Sequence, residues 1–186
     1  MIIKEETKLF KKKYRVPSAR LSGYDYANTG LYFVTICVKN RECVFGQVRQ
    51  GMMELTTLGE IVRQCWLNIP GHFKNFFPGE FIVMPNHFHG IVSIDNQAHE
   101  KKCRDGACPV STDKKNSLAD VVGSFKSACT KRVRQIDSNF TWQPRFHDHI
   151  IRNEKSLEEI RQYILKNPEK WLEDDLYERP LPKIQK

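Results

Sequence analysis

The stretch Phe81-Ile-Val-Met-Pro-Asn-His-Phe-His-Gly-Ile-Val-Ser-Ile-Asp95 decides how this chain is read. An apolar strand runs into a Pro85-Asn86 corner, and a second strand leaves it. Side chains alternate faces along a strand, so His87 and His89 point one way. Phe88, Val92 and Ile94 point the other way, toward a core. Two imidazoles one residue apart on one sheet face can share a metal ion. Taken alone, the same spacing also describes two surface histidines.

The flanking sequence supplies the other elements. Leu31 to Lys39 is rich in β-branched and aromatic residues and reads as a central strand. Cys43–Val48 and Met52–Leu55, joined around Gln50-Gly51, predict a hairpin. Thr57-x-x-Glu60 has the form of a capping box. Leu58, Ile61, Val62, Cys65, Trp66 and Ile69 follow at helical spacing, and Pro70-Gly71 ends that helix. Ser117-x-x-Asp120 opens a second helix with Leu118, Val121, Val122, Phe125, Cys129, Val133 and Ile136 as its buried stripe. Trp142 to Ile151 reads as a strand, with Pro144 favouring an edge or an irregular start. Ser156-x-x-Glu159 caps a third helix, which Pro168 terminates, and a short helix to about Tyr177 follows.

Strand, helix, two strands, helix, strand and further helices is the order of a split βαβ unit. The expected class is α+β: a ferredoxin-like core with an antiparallel sheet, helices on its faces and a last helix bearing Tyr163. Residues 1–30 read as a basic arm, with Lys11, Lys12, Lys13 and Arg15 beside Phe10 and Tyr14. Residues 31–177 read as one domain, interrupted by a polar loop at 96–116. Residues 178–186 read as a tail.

Composition narrows the partners. The 186 residues carry a net charge of +8, which suits a polyanion such as nucleic acid. The chain has neither a membrane-length apolar run nor the apolar core of a signal peptide, so the expected location is the cytoplasm. Cys37, Cys65 and Cys129 fall within apolar patterns and read as reduced core residues. His99, Cys103 and Cys108 share a polar loop and could supply three zinc ligands, but no second cysteine pair follows, which argues against a structural zinc site. No Walker-type loop or dinucleotide glycine fingerprint occurs.

The third helix carries a further pair. Leu157, Ile160 and Ile164 make its buried stripe, Tyr163 lies at the stripe's edge, and Asn167 shares the face of Tyr163 one turn later. Asn167 also precedes Pro168 and could simply cap the next helix. His147-Asp148-His149 is a second His-x-His that could hold a metal instead. On the second helix, Lys126, Lys131 and Arg134 flank the buried stripe. They read either as a solvated face or as contacts to a DNA backbone, and Gln143, Arg145 and Arg152 could add to the latter.

Several motifs, in order, resemble one family. Met84-Pro-Asn-His-Phe-His-Gly90 is similar to the histidine motif of the HUH single-strand endonucleases of the single-tyrosine transposase type. Gly23-Tyr-Asp-Tyr26 with Tyr32-Phe-Val-Thr-Ile-Cys37, Gly123-Ser-Phe-Lys-Ser127, Phe146-His-Asp-His-Ile-Ile-Arg152 and Tyr163-Ile-Leu-Lys-Asn-Pro168 resemble successive segments of its REP-associated tyrosine transposase branch. The resemblance runs from about Arg20 to about Leu176.

It implies the same ferredoxin-like core and a metal-dependent endonuclease and strand transferase. The substrate would be single-stranded or hairpin DNA of transposon or repetitive extragenic palindrome type. Tyr163 would attack the backbone phosphorus, leaving a 5′-phosphotyrosine. His87, His89 and Asn167 would hold a divalent ion, Mg2+ or Mn2+, with His147 and Asp148 nearby and Lys126, Lys131, Arg134 and Arg152 toward DNA. Relatives of this kind act as monomers or homodimers. The alternative is a non-catalytic ferredoxin-like nucleic-acid-binding module, a decayed transposase.

Overall fold

The computed structural model describes Leu21, residues 23–96 and residues 116–177. Most of the basic arm, the His99/Cys103/Cys108 loop and the 178–186 tail lie outside the described residues. The main sheet has four strands: β1 (Gly30–Cys37), β4 (Phe76–Val83), β5 (His87–Ile94) and β6 (His147–Ile151). Their order is β4-β5-β1-β6, every pairing antiparallel. β1 and β4 lie on either side of β5, which is the split βαβ arrangement the sequence predicts.

The hairpin strands β2 (Gly46–Arg49) and β3 (Met52–Leu55) form a separate two-stranded sheet. Gln50 and Gly51 turn it with φ of 51° and 74°, the two left-handed residues that suit the twist of a two-residue hairpin. The helices are α1 (Thr57–Leu67), α2 (Ile69–His72), α3 (Leu118–Val133) and α4 (Glu154–Lys166). Among the described residues no helix is long and apolar enough to cross a membrane.

α1 and α3 pack on one face of the sheet over the main core. Phe88 sits fully buried there, its ring 4.6 Å from that of Trp66 and 5.2 Å from that of Phe125. Gly90 shares that face, and a Cβ there would come within 2.8 Å of the Trp66 ring, so the missing side chain is what lets α1 close on β5. Phe88→Ala removes the centre of this cluster. Its expected cost is about 3–5 kcal/mol, read as a fall in the urea midpoint at unchanged slope.

α4 covers the opposite face. Leu157 and Ile164 pack with Ile91 and Ile151 in a smaller core, joined by Ile160 and Phe33. The Arg161 guanidinium fixes the helix laterally through Glu80 at 2.8 Å.

Several boundaries differ from the sequence reading. The cap of α1 is Thr56, whose hydroxyl accepts from the Gly59 amide, while Glu60 turns to Arg63 and Gln64. Pro70 sits inside α2, where an early helical position loses nothing for lack of an N–H. α3 has the expected Ser117–Asp120 capping box but stops at Val133, leaving Ile136 exposed. Trp142 makes only an isolated bridge to Val38, because Arg145 takes φ of 68° and breaks the strand before His147. Asn153, not Ser156, caps α4 by accepting from the Ser156 amide at 2.8 Å. The helix expected after Pro168 is one 3-10 turn, Trp171–Glu173. Cys37, Cys65 and Cys129 are buried free thiols.

Candidate active site

The pleat carries the site. Residues of odd number on β5 face α4, so His87 and His89 project beneath that helix, away from Phe88. Their Nε2 atoms lie 2.9 Å apart and the side chains are buried. Tyr163 on α4 reaches down from the helix, its hydroxyl 3.2 Å from His89 Nε2. Phe33 stacks on the His89 ring at 5.3 Å and meets Tyr163 edge-on at 6.1 Å, holding both rings.

The hydrogen bonds fix the imidazoles. Asn86 donates from Nδ2 to the carbonyls of Arg41 and Leu176, at 3.1 and 2.8 Å, so its Oδ1 is left to accept. It does so from His87 Nδ1 at 2.8 Å. His87 therefore keeps its proton on Nδ1 and presents a lone pair at Nε2. His89 Nδ1 bonds the Thr35 hydroxyl at 2.8 Å, and a hydroxyl serves either tautomer.

Asp174 completes the group. It lies just after the Trp171 turn, and its carboxylate sits with the two Nε2 atoms such that all three ligand atoms lie within 4.8 Å of one another. Asn167 is buried beside it. Its Nδ2 donates to Asp174 Oδ2 at 3.1 Å, whereas its buried Oδ1 has no hydrogen-bond partner. Asn167 ends α4 in helical conformation, and its side chain caps nothing in the turn that follows.

These donors fit a divalent ion. Two nitrogens about 2.1 Å from one ion and at a right angle to each other lie about 3 Å apart, as the imidazoles do. An unpartnered buried carbonyl oxygen and a carboxylate are the oxygen donors that hard cations take. Of the described residues only His87, His89 and Asp174 form a metal-capable set, so the open alternative of His147 with His149 finds no third ligand.

Burial sets the protonation of the pair. Desolvation pushes His87 down to about 3, with Arg41 adding, and drives His89 well below its ordinary value, with the charge of His87 adding and Asp174 opposing. Both rings stay neutral at neutral pH. The unfolded chain protonates them below 6.5, while folded His87 resists until about 3. Metal-free stability is therefore full above that range and falls as pH drops through it. His87 alone is expected to contribute about 1.4 kcal/mol per pH unit across the window. Urea midpoints at about pH 7 and about pH 5 measure the slope, which His87→Gln should flatten.

Burial likewise raises the Tyr163 phenol to about 12, followed by the field of Asp174, with the Asn167 amide pulling the other way and Asp175 adding. A protonated phenol thus faces a cavity of about 670 Å³ whose walls include Thr35, His89, His147, Tyr163, Lys166 and Lys170.

The remaining predicted residues fall into two groups. His147 stands opposite Thr35 in the cross-strand row of His89 and lines this cavity. Asp148 pairs with Val34 and faces the other side of the sheet. Lys126 donates to the carbonyls of Gln143 and Arg145 at 2.6 and 2.9 Å, and Arg134 to Phe140 O and Thr141 Oγ1. Those two cations pin the 140–145 segment on the face opposite the histidines. Lys131 and Arg152 are exposed outside the cavity. Thr35, Asn86 and Asp174 did not emerge as site residues from the sequence.

The fold is similar to that of a solved transposase. A solved REP-associated tyrosine transposase bound to a REP hairpin matches with a TM-score of 0.56 at 24% identity, covering 81% of this chain and 74% of that one. At such identity the likeness defines the fold alone. No protein-family model matches the chain. It is 40% identical over 166 residues to an uncharacterized protein of Haemophilus influenzae (strain ATCC 51907 / DSM 11121 / KW20 / Rd), spanning 86% of this chain and 92% of the other. The chain belongs to the family of that Haemophilus protein.

Proposed function

We propose that this chain is a metal-dependent single-strand DNA endonuclease and strand transferase of the HUH single-tyrosine type, acting on hairpin DNA. The observation that carries the reading is the Tyr163 hydroxyl 3.2 Å from His89 Nε2, itself 2.9 Å from His87 Nε2. A divalent ion held by His87, His89 and Asp174, with Asn167 Oδ1 as a further donor, would polarise the scissile phosphate and stabilise its developing charge.

Tyr163 Oη forms a bond to phosphorus as the bond from phosphorus to the 3′-oxygen breaks. The phenolic proton leaves and the 3′-oxygen gains one, giving a 5′-phosphotyrosyl protein and a free 3′-hydroxyl. The cycle conserves bond energy and needs no nucleotide. Phe33 holds the Tyr163 ring in line, and Thr35 orients His89. Lys166 and Lys170 in the cavity wall are better placed for strand phosphates than Lys126 and Arg134, whose donors are engaged internally. The hairpin preference is supported by the fold neighbour, which was solved on a REP hairpin. The charge of +8 supports a DNA partner, with binding that weakens steeply as salt rises.

The test is a denaturing gel of end-labelled hairpin DNA mixed with the protein, with Mn2+, Mg2+ or chelator. A metal-dependent band retarded by the mass of the protein is expected. Tight binding with no covalent band under any metal would overturn the reading in favour of a binding module.

A further inference from the structure

The Asn86 side chain makes three hydrogen bonds at this site, and they run in two directions. The side chain is 1% exposed, and both of its polar atoms are used. Oδ1 accepts from His87 Nδ1 at 2.8 Å, and Nδ2 donates to Arg41 O and Leu176 O. The Leu176 bond holds the segment that crosses the site after α4. That segment carries Asp174, whose Oδ1 accepts from the Leu176 amide at 2.7 Å. It is also tied by Arg41, which donates from Nη1 to Asp175 O at 3.0 Å, and by Trp171, whose ring lies 5.8 Å from that of His87.

We infer that Asn86 is a positioning residue that couples cation binding at the His87/His89 pair to closure of the 171–177 segment. The inference rests on the reading that this pair holds a divalent ion. The coupling has two arms on one side chain. The Oδ1 arm fixes the His87 tautomer whose Nε2 lone pair faces the site. The Nδ2 arm fixes the segment that brings the Asp174 carboxylate to the same point. Losing Asn86 frees His87 to carry its proton on Nε2, where it blocks ligation, and also releases the carboxylate. Because linkage is reciprocal, an ion that draws on both arms must also hold the segment shut.

Two variants separate the arms. Asn86→Ala removes both, whereas Arg41→Ala removes a tie to the segment and leaves the Asn86–His87 bond. Nitrogen-15 spectra of the histidine side chains in metal-free protein report the tautomer. Hydrogen exchange read by mass spectrometry reports the 171–177 peptide, and calorimetric titration with Mn2+ reports affinity.

Wild type should show His87 protonated at Nδ1 and slower exchange of the segment once Mn2+ is added. Asn86→Ala should mix the tautomers, speed exchange of the segment and lower Mn2+ affinity about 10–100-fold, the range for partners that orient metal-ligating histidines. Arg41→Ala should speed exchange with the tautomer unchanged and a smaller loss of affinity. Mn2+ affinity in Asn86→Ala within about twofold of wild type would overturn the coupling, and so would unchanged exchange. If wild type itself binds no Mn2+, the ion reading falls and the coupling with it, while the metal-free spectra and exchange still decide whether Asn86 positions His87 and the segment.

Discussion

Tyr163→Phe is expected to eliminate the covalent protein–DNA band and all strand cleavage while leaving hairpin affinity within about twofold. The change removes one oxygen atom. The ring keeps its edge contact with Phe33 and its place beside His89, so the fold has little reason to respond. Tyr163 is 45% exposed, and the apolar side chains that anchor α4 are its neighbours Ile160 and Ile164. Affinity rests on phosphate and base contacts spread over the surface, which the hydroxyl does not supply. The proposed chemistry depends on it wholly, because among the described residues no other phenol is hydrogen-bonded to the histidine pair. A retarded band persisting in Tyr163→Phe would sink the assignment of the nucleophile.

The second large effect is expected from His89. Its Nε2 touches both His87 and the Tyr163 hydroxyl, so it stands at the meeting point of the proposed ion and the proposed nucleophile. His89→Ala should lower metal-dependent cleavage on the order of a thousandfold or more, the consequence of losing several kcal/mol of transition-state charge stabilisation. The substitution also leaves the Thr35 hydroxyl without its buried partner, so part of the loss could arise from unfolding. His89→Gln keeps volume and a hydrogen-bonding group and separates the two. Equal loss in both variants, with melting curves like wild type, is the expected result. Full cleavage by His89→Gln without added divalent metal would remove the ion from the mechanism.

Much of this architecture was legible because its signals are local. The β-branched run after Gly30, the Gln50-Gly51 turn and the Ser117–Asp120 box each encode their element within a few residues. The helical spacing of Tyr163 and Asn167 likewise places them on one face with no knowledge of what lies opposite. What stayed hidden depends on chain segments far apart in sequence. Asp174 reaches the site because the chain doubles back after α4, and nothing near it in the sequence marks a ligand. Thr35 enters through strand register, paired with His89 on one side and His147 on the other. Lys126 reads as a solvated or DNA-facing residue because periodicity describes a helix face but not the 143–145 segment that folds across it. The α4 cap went to Asn153 instead of Ser156 because either residue could start the helix, and the strand's end at Ile151 selects the earlier one.

The two halves of the site rest on unequal foundations. β5 is an interior strand, bonded along both edges and backed by the aromatic cluster of the main core. α4 is held by a thin apolar contact and the surface pair Arg161–Glu80. The histidines thus stand on an anvil, while the tyrosine is mounted on the element with the smaller core. In the proposed reaction a strand end joined to Tyr163 would sit on that element, and the anvil would remain to receive the next phosphate.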